Sequence, residues 1–228
     1  MKNALLTLLS LVILVCSCGT ANQYTRGSLY EKVYDEKPLV LLVMPPINNT
    51  SYVDAKEYLY TSISKPLAEA GYYVISPFLA MDILKAESAY DAELFTNSSL
   101  VPFKNVFGAD AVVFSEILTW AKKGFGIETE IRYYIKAVAT NEIIFDRTCS
   151  LYLDLNAKSS STNYSWLGLL ADIAVSALNT AFTDHIDAAR LTNSYIFADI
   201  PRGQYHPDYQ NDQDIPAQPS VISEYVKR

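Results

Sequence analysis

The chain has 228 residues, half of them apolar, and a formal charge of −7. That apolar content excludes a disordered polymer, and the length supports one ordinary domain with a real core. An acidic chain without a Lys/Arg cluster lacks the electrostatic footprint of a nucleic-acid binder, and no nucleic-acid partner is expected. Nor is it drawn to anionic headgroups.

Four segments are expected: a signal peptide at 1–17, a lipidated tether at 18–37, an α/β domain at 38–200 and an irregular C-terminal tail at 201–228. Lys2 precedes an apolar run from Ala4 to Val15, broken only by Thr7 and Ser10. The run has signal-peptide length and is too short for a permanent membrane span. Val15-Cys16-Ser17-Cys18 resembles the cleavage signal of bacterial lipoproteins: an aliphatic residue, two small ones, then the acceptor cysteine. Cleavage before Cys18 removes Cys16 and leaves Cys18 to carry the acyl chains. Each buried methylene contributes about 0.8 kcal/mol, so several chains anchor stably where one is marginal. Membrane contact is expected from this lipid alone. Gly19, rather than Asp, follows the acceptor, which points to the outer membrane with the domain facing the periplasm. Cys149 is then the one cysteine besides Cys18, so packing and not an internal disulfide must hold the fold.

Pro38 to Met44 is an unbroken apolar run, the mark of a strand covered on both faces. Pro45-Pro46 stops it. Asn48-Asn49-Thr50-Ser51 offers caps for a helix over 52–70, whose stripe is Ala55, Leu59, Ile63, Leu67 and Ala70. Pro66 either kinks that helix or lies in a second one capped by Ser64, and Gly71 ends it. Tyr72 to Ser76 reads as a strand, 78–88 as a helix, 101–107 as a short helix ended by Gly108, and 111–120 as a central strand. Ile127, Thr129, Ile131, Tyr133, Ile135 and Ala137 alternate with charged residues, which predicts a half-buried strand. Thr140-Asn141 suits a hairpin turn. The return strand then puts Ile143, Phe145, Cys149, Leu151 and Leu153 on the core face. Lys158 to Asn163 is Ser-rich and expected to be mobile. The last helix is expected over 164–184, apolar around most of its circumference and therefore buried or facing a partner. The order of elements predicts a single α/β domain with a mixed β-sheet flanked by helices.

Little points to catalysis. His185, just past the last expected helix, and His206 have no Cys or carboxylate neighbours at metal-ligand spacing. Cys149 on a core face reads as a small hydrophobe. "MPPINNTS" has prolines where a phosphate loop needs glycines. No metal, cofactor or catalytic residue is assigned, and the protein is not expected to be an enzyme. Glu116 sits in an apolar run and needs a partner unless it faces solvent; Asp172 on the last helix has the same status. Tyr58, Tyr60, Tyr72, Tyr73, Tyr133 and Tyr134 suit either an amphipathic contact surface or the core.

"MPPINNTSYVDAKEYLYTSISKPLAEAGYYVISP" at 44–77, "GADAVVFSEILTW" at 108–120 and "IPRGQYHPDY" at 200–209 resemble a family of bacterial lipoproteins of unknown function, one with a meningococcal member of the GNA series. The resemblance covers nearly all of the chain after Cys18. It implies a fold similar to the N-terminal α/β domain of TolB, with related folds in the curli-secretion lipoprotein and in lipoprotein activators of penicillin-binding proteins. It also implies a trans-envelope complex with a curli-secretion-like lipoprotein and another small lipoprotein. The expected function is that of a lipid-anchored periplasmic adaptor. Its partners would be other envelope lipoproteins or secretion components, with a homo-oligomer left open. The alternative is a small-ligand or glycan-binding domain that uses the mouth beyond the first strand. Asn48, Asn49, Tyr52, Tyr58, Tyr133 and Trp166 are expected on the ligand or partner surface.

Overall fold

The computed structural model describes residues 24–155 and 181–227. Its frame is one seven-stranded mixed sheet in the order β3-β1-β4-β5-β6-β7, with β2 pairing β4 beyond the end of β1. The strands are β1 (Val40–Val43), β2 (Ile47–Asn48), β3 (Tyr73–Val74), β4 (Ala111–Lys123), β5 (Gly126–Ala137), β6 (Ile143–Asp154) and β7 (Val221–Lys227). Pairs β1–β3, β1–β4 and β6–β7 are parallel, and β4–β5–β6 is an antiparallel meander. The expected single α/β domain with a mixed, helix-flanked sheet is what the chain forms.

The helices are α1 (Arg26–Leu29), α2 (Glu31–Glu36), α3 (Ala55–Ser62), α4 (Ser64–Glu69), α5 (Pro77–Ala86), α6 (Val101–Phe107) and α7 (Ala181–Phe197). The stripe read from sequence is the buried one: Ala55, Leu59, Ile63, Leu67 and Ala70 are each at most 1% exposed. Pro66 sits in the first turn of α4, where its missing N–H costs nothing. One sheet face, with Leu41, Val113, Ile131 and Cys149, packs under α3, α4, α7 and the α1–α2 pair. The other, with Leu42, Met44, Val112 and Phe114, is covered by α5 and the 92–107 segment.

Three expectations are corrected. Residues 26–36 are not free tether. The Thr25 hydroxyl accepts the Ser28 N–H to cap α1, and Tyr30, Val33 and Tyr34 enter the core at helical spacing. The last helix runs on past its expected end: 164–180 lies outside the described residues, and the helix described from Ala181 continues to Phe197. Its buried positions include His185, Asp187, Ala188, Ala189, Leu191, Thr192, Asn193, Ile196 and Phe197, and the polar His185, Asp187, Thr192 and Asn193 among them mask the helical pattern. The C-terminal tail is irregular only to Ser220. Beyond it, β7 adds a parallel edge strand to β6 with Ile222 turned inward.

Candidate functional site

The mouth beyond β1 is held by its own side chains. Asn48 Oδ1 accepts from the Thr50 N–H (3.0 Å) and hydroxyl (2.7 Å), while its amide donates to the Tyr52 carbonyl at 2.9 Å. Asn49 is exposed, and its N–H is bound to the Ile117 carbonyl. Asn48, Asn49, Tyr52 and Tyr58 are therefore brought together at the carboxyl end of the parallel strands. Tyr133 is not, and its place on a surface is corrected. It is fully buried on β5, its hydroxyl donating to Asn193 Oδ1 on α7. Tyr60, Tyr72 and Tyr134 are core residues too, and Tyr73 alone of that group is well exposed. Trp166 and Asp172 lie outside the described residues, as does Cys18.

Sequence reasoning passed over the centre of this end. A β-bulge at Leu118 shifts the β4 register between Ile117 and Thr119. The shift reverses the alternation, so Trp120 faces the helix layer and meets His185 on α7. Trp120 Nε1–H donates to His185 Nδ1 at 3.0 Å. Indole is a donor only, so the imidazole is neutral and its proton sits on Nε2. Tyr52 stacks on His185 at 4.7 Å and Tyr58 at 5.9 Å. Burial, with Lys122 nearby, holds the His185 pKa below its usual value. His185 Nε2 has no hydrogen-bond partner among the described residues.

A second polar centre staples both ends of the domain. Arg26 donates through Nε to Asp199 (3.0 Å) and through Nη1 to Asp212 (3.1 Å), and all three are at most 6% exposed. Tyr30 and Tyr34 hydroxyls donate to Asp199 and Asp212 at 3.0 Å each, and the Gln218 and Arg202 N–H groups complete the set. Nearby, Gly71 (φ 94°) and Gly203 meet backbone to backbone: the Gly203 N–H donates to Ala70 and the Tyr205 N–H to Gly71. Two of the stretches that carry the family resemblance are thus one contact in space.

Glu116 and its neighbours on the sheet are paired. Glu116 is half-buried on the sheet face of Val112 and Phe114 and accepts from Arg132 at 3.5 Å, while Arg132 grips Asp146 through two nitrogens. Burial pushes the Cys149 thiol up to about 12, so it stays protonated and inert. Apolar surface is left on α5, where Phe78, Leu79 and Ile83 are 75, 60 and 41% exposed.

A mixed sheet with helices on both faces, its two ends latched by a buried ion network and the carboxyl end of its parallel strands closed by stacked aromatics, defines an α/β domain. No described helix is long and apolar enough to cross a membrane. Residues 29–196 match the family described as "Putative lipoprotein GNA1162-like", and the chain belongs to that family. It is similar to "Putative lipoprotein NMB1124/NMB1162" of Neisseria meningitidis serogroup B, 24% identical over 160 residues that make up 68% of this chain and 72% of the other. Among solved structures, lipoprotein GNA1162 from Neisseria meningitidis covers 60% of this chain and 96% of its own, with 21% identity and a TM-score of 0.47. The LpoB C-terminal domain from Escherichia coli covers 54 and 94%, with 19% identity and a TM-score of 0.36. A PelC dodecamer from Paraburkholderia phytofirmans covers 74 and 91%, with 11% identity and a TM-score of 0.42.

Proposed function

We propose that the protein is a lipid-anchored adaptor of the cell envelope, acylated at Cys18, facing the periplasm from the outer membrane and docking other envelope or secretion proteins without catalysing a reaction. Carrying this reading is the outer row of α5. Ala80 and Leu84 pack inward on the sheet, yet Phe78, Leu79 and Ile83 stand in water. A helix apolar on both sides is suited to a protein partner. Membership of a lipoprotein family supports the anchor. The ligand-binding alternative gains no support, because the mouth it needs is filled by Asn48, Tyr52, Tyr58, Trp120 and His185.

A photo-crosslinking residue at Leu79 in the lipidated protein, irradiated in its own membranes, should give a reproducible adduct with another envelope protein or a second copy. The same residue at Lys65, exposed on α4, should not. Equal and featureless labelling at both positions would reject the adaptor reading.

A further inference from the structure

Five residues separate Cys18 from Tyr24, and Tyr24 is already part of the domain. Its carbonyl accepts the Ala217 N–H at 2.7 Å, Thr25 bridges Pro216, and the Arg26 and Gly27 N–H groups donate to Ile215 and Gln213 at 2.8 and 2.9 Å. With Arg26 buried against Asp199 and Asp212, the chain cannot peel away here without breaking an ion network. Six Cα steps span at most about 21 Å. A free tether to residue 37 would instead have reached about 65 Å by the same rule. Thirteen-residue β4 alone is about 40 Å long, so on so short a leash the body cannot stand on its far end with the near end raised from the bilayer, and the near end always stays within reach of the lipid.

The near end has the surface for contact. Tyr24, Leu29, Ile143 and Ile215 are 63, 38, 42 and 44% exposed. Leu29 and Ile143 border a groove of about 340 Å³ between α1–α2 and the start of β6. Tyrosine and aliphatic side chains suit the headgroup boundary. Lys32, at the groove, is already paired with Glu142 at 2.7 Å, so attraction to anionic lipid is not the means. At the other end of β6, Leu155 binds the carbonyl of Phe125, whose ring is 72% exposed.

We infer, on the acylation of Cys18 proposed above, that Tyr24, Leu29, Ile143 and Ile215 form a membrane-seated face resting on the bilayer that holds the lipid. The β4–β5 turn at Phe125 then points away from it. The bilayer is a contact surface here in addition to the acyl chains.

The test uses the acylated full chain in vesicles of phosphatidylcholine alone, spin-labelled at Leu29→Cys, Ile215→Cys or Phe125→Cys; native Cys149 is buried and does not label. Labels at 29 and 215 should show an oxygen-to-nickel accessibility ratio several-fold above that at 125, unchanged when anionic lipid is added. Water-like labels at 29 and 215 on a chain whose amino-terminal peptide is acylated would overturn this inference and leave the adaptor reading standing. Dipolar broadening at 29 or 215 would mean a second copy covers the face, and would also overturn it. An unacylated terminus would overturn both.

Discussion

Arg26→Ala should be the most damaging single change outside the hydrophobic core. The side chain supplies the guanidinium that both Asp199 and Asp212 hydrogen-bond, at 3.0 and 3.1 Å, and its Nη2 donates to the Ala198 carbonyl at 3.0 Å. The carboxylates are 1 and 0% exposed, so water cannot replace what is removed. Leaving buried charge without its partner costs about 3–5 kcal/mol, a large part of a typical 5–15 kcal/mol stability. At an m-value of about 2 kcal/mol/M, the urea midpoint should fall by roughly 1.5–2.5 M. The triple variant Arg26→Met, Asp199→Asn, Asp212→Asn removes the charges together and should recover most of the loss. Equilibrium urea unfolding followed by far-UV circular dichroism reads both. A loss under about 1 kcal/mol in Arg26→Ala would refute the claim that this network latches the amino terminus to the domain.

Gly71→Ala should cost about 2 kcal/mol or more, since φ is 94° and a Cβ would stand 2.5 Å from the His206 nitrogen; an unchanged thermal midpoint would contradict this. His185→Gln keeps an acceptor for Trp120 but removes a titrating group. Burial depresses the His185 pKa, so the unfolded chain binds the proton better and wild-type stability falls as pH drops below about 6.5, by at most about 1.4 kcal/mol per pH unit. The variant should lose less over that window, and parallel pH profiles would contradict the assignment. Cys149 should react with a thiol reagent only at the rate of unfolding, and prompt labelling of the native protein would show that it is not in the core.

Local patterns were legible. The alternation from Ile127 to Ala137 and the turn at Asn141 (φ 60°) gave the β5–β6 hairpin, and Gly108 (φ 69°) ended α6 as read. What was hidden depends on partners distant in sequence. Arg26 looks like a tether charge until Asp199, 173 residues on, is folded against it. Thr192 and Asn193 occupy an interior stripe because Thr129, Tyr133 and Ser62 satisfy them, and His185 joins it as the acceptor of the Trp120 N–H, none of which any hydropathy pattern contains. The Leu118 bulge moved Trp120 to the opposite sheet face from the one alternation assigns it, and so concealed the aromatic cluster. Asn48, Asn49, Tyr52 and Tyr58 lie together at the strand ends, which they help to close.

The mass of the amino-terminal tryptic peptide, Cys18 to Arg26, from protein extracted from its own membranes, bears most directly on the envelope role. It should carry the diacylglyceryl and N-acyl additions on Cys18. A peptide that still includes the residues before Cys18, or one that begins at a bare cysteine, would contradict the anchor and everything proposed to depend on it.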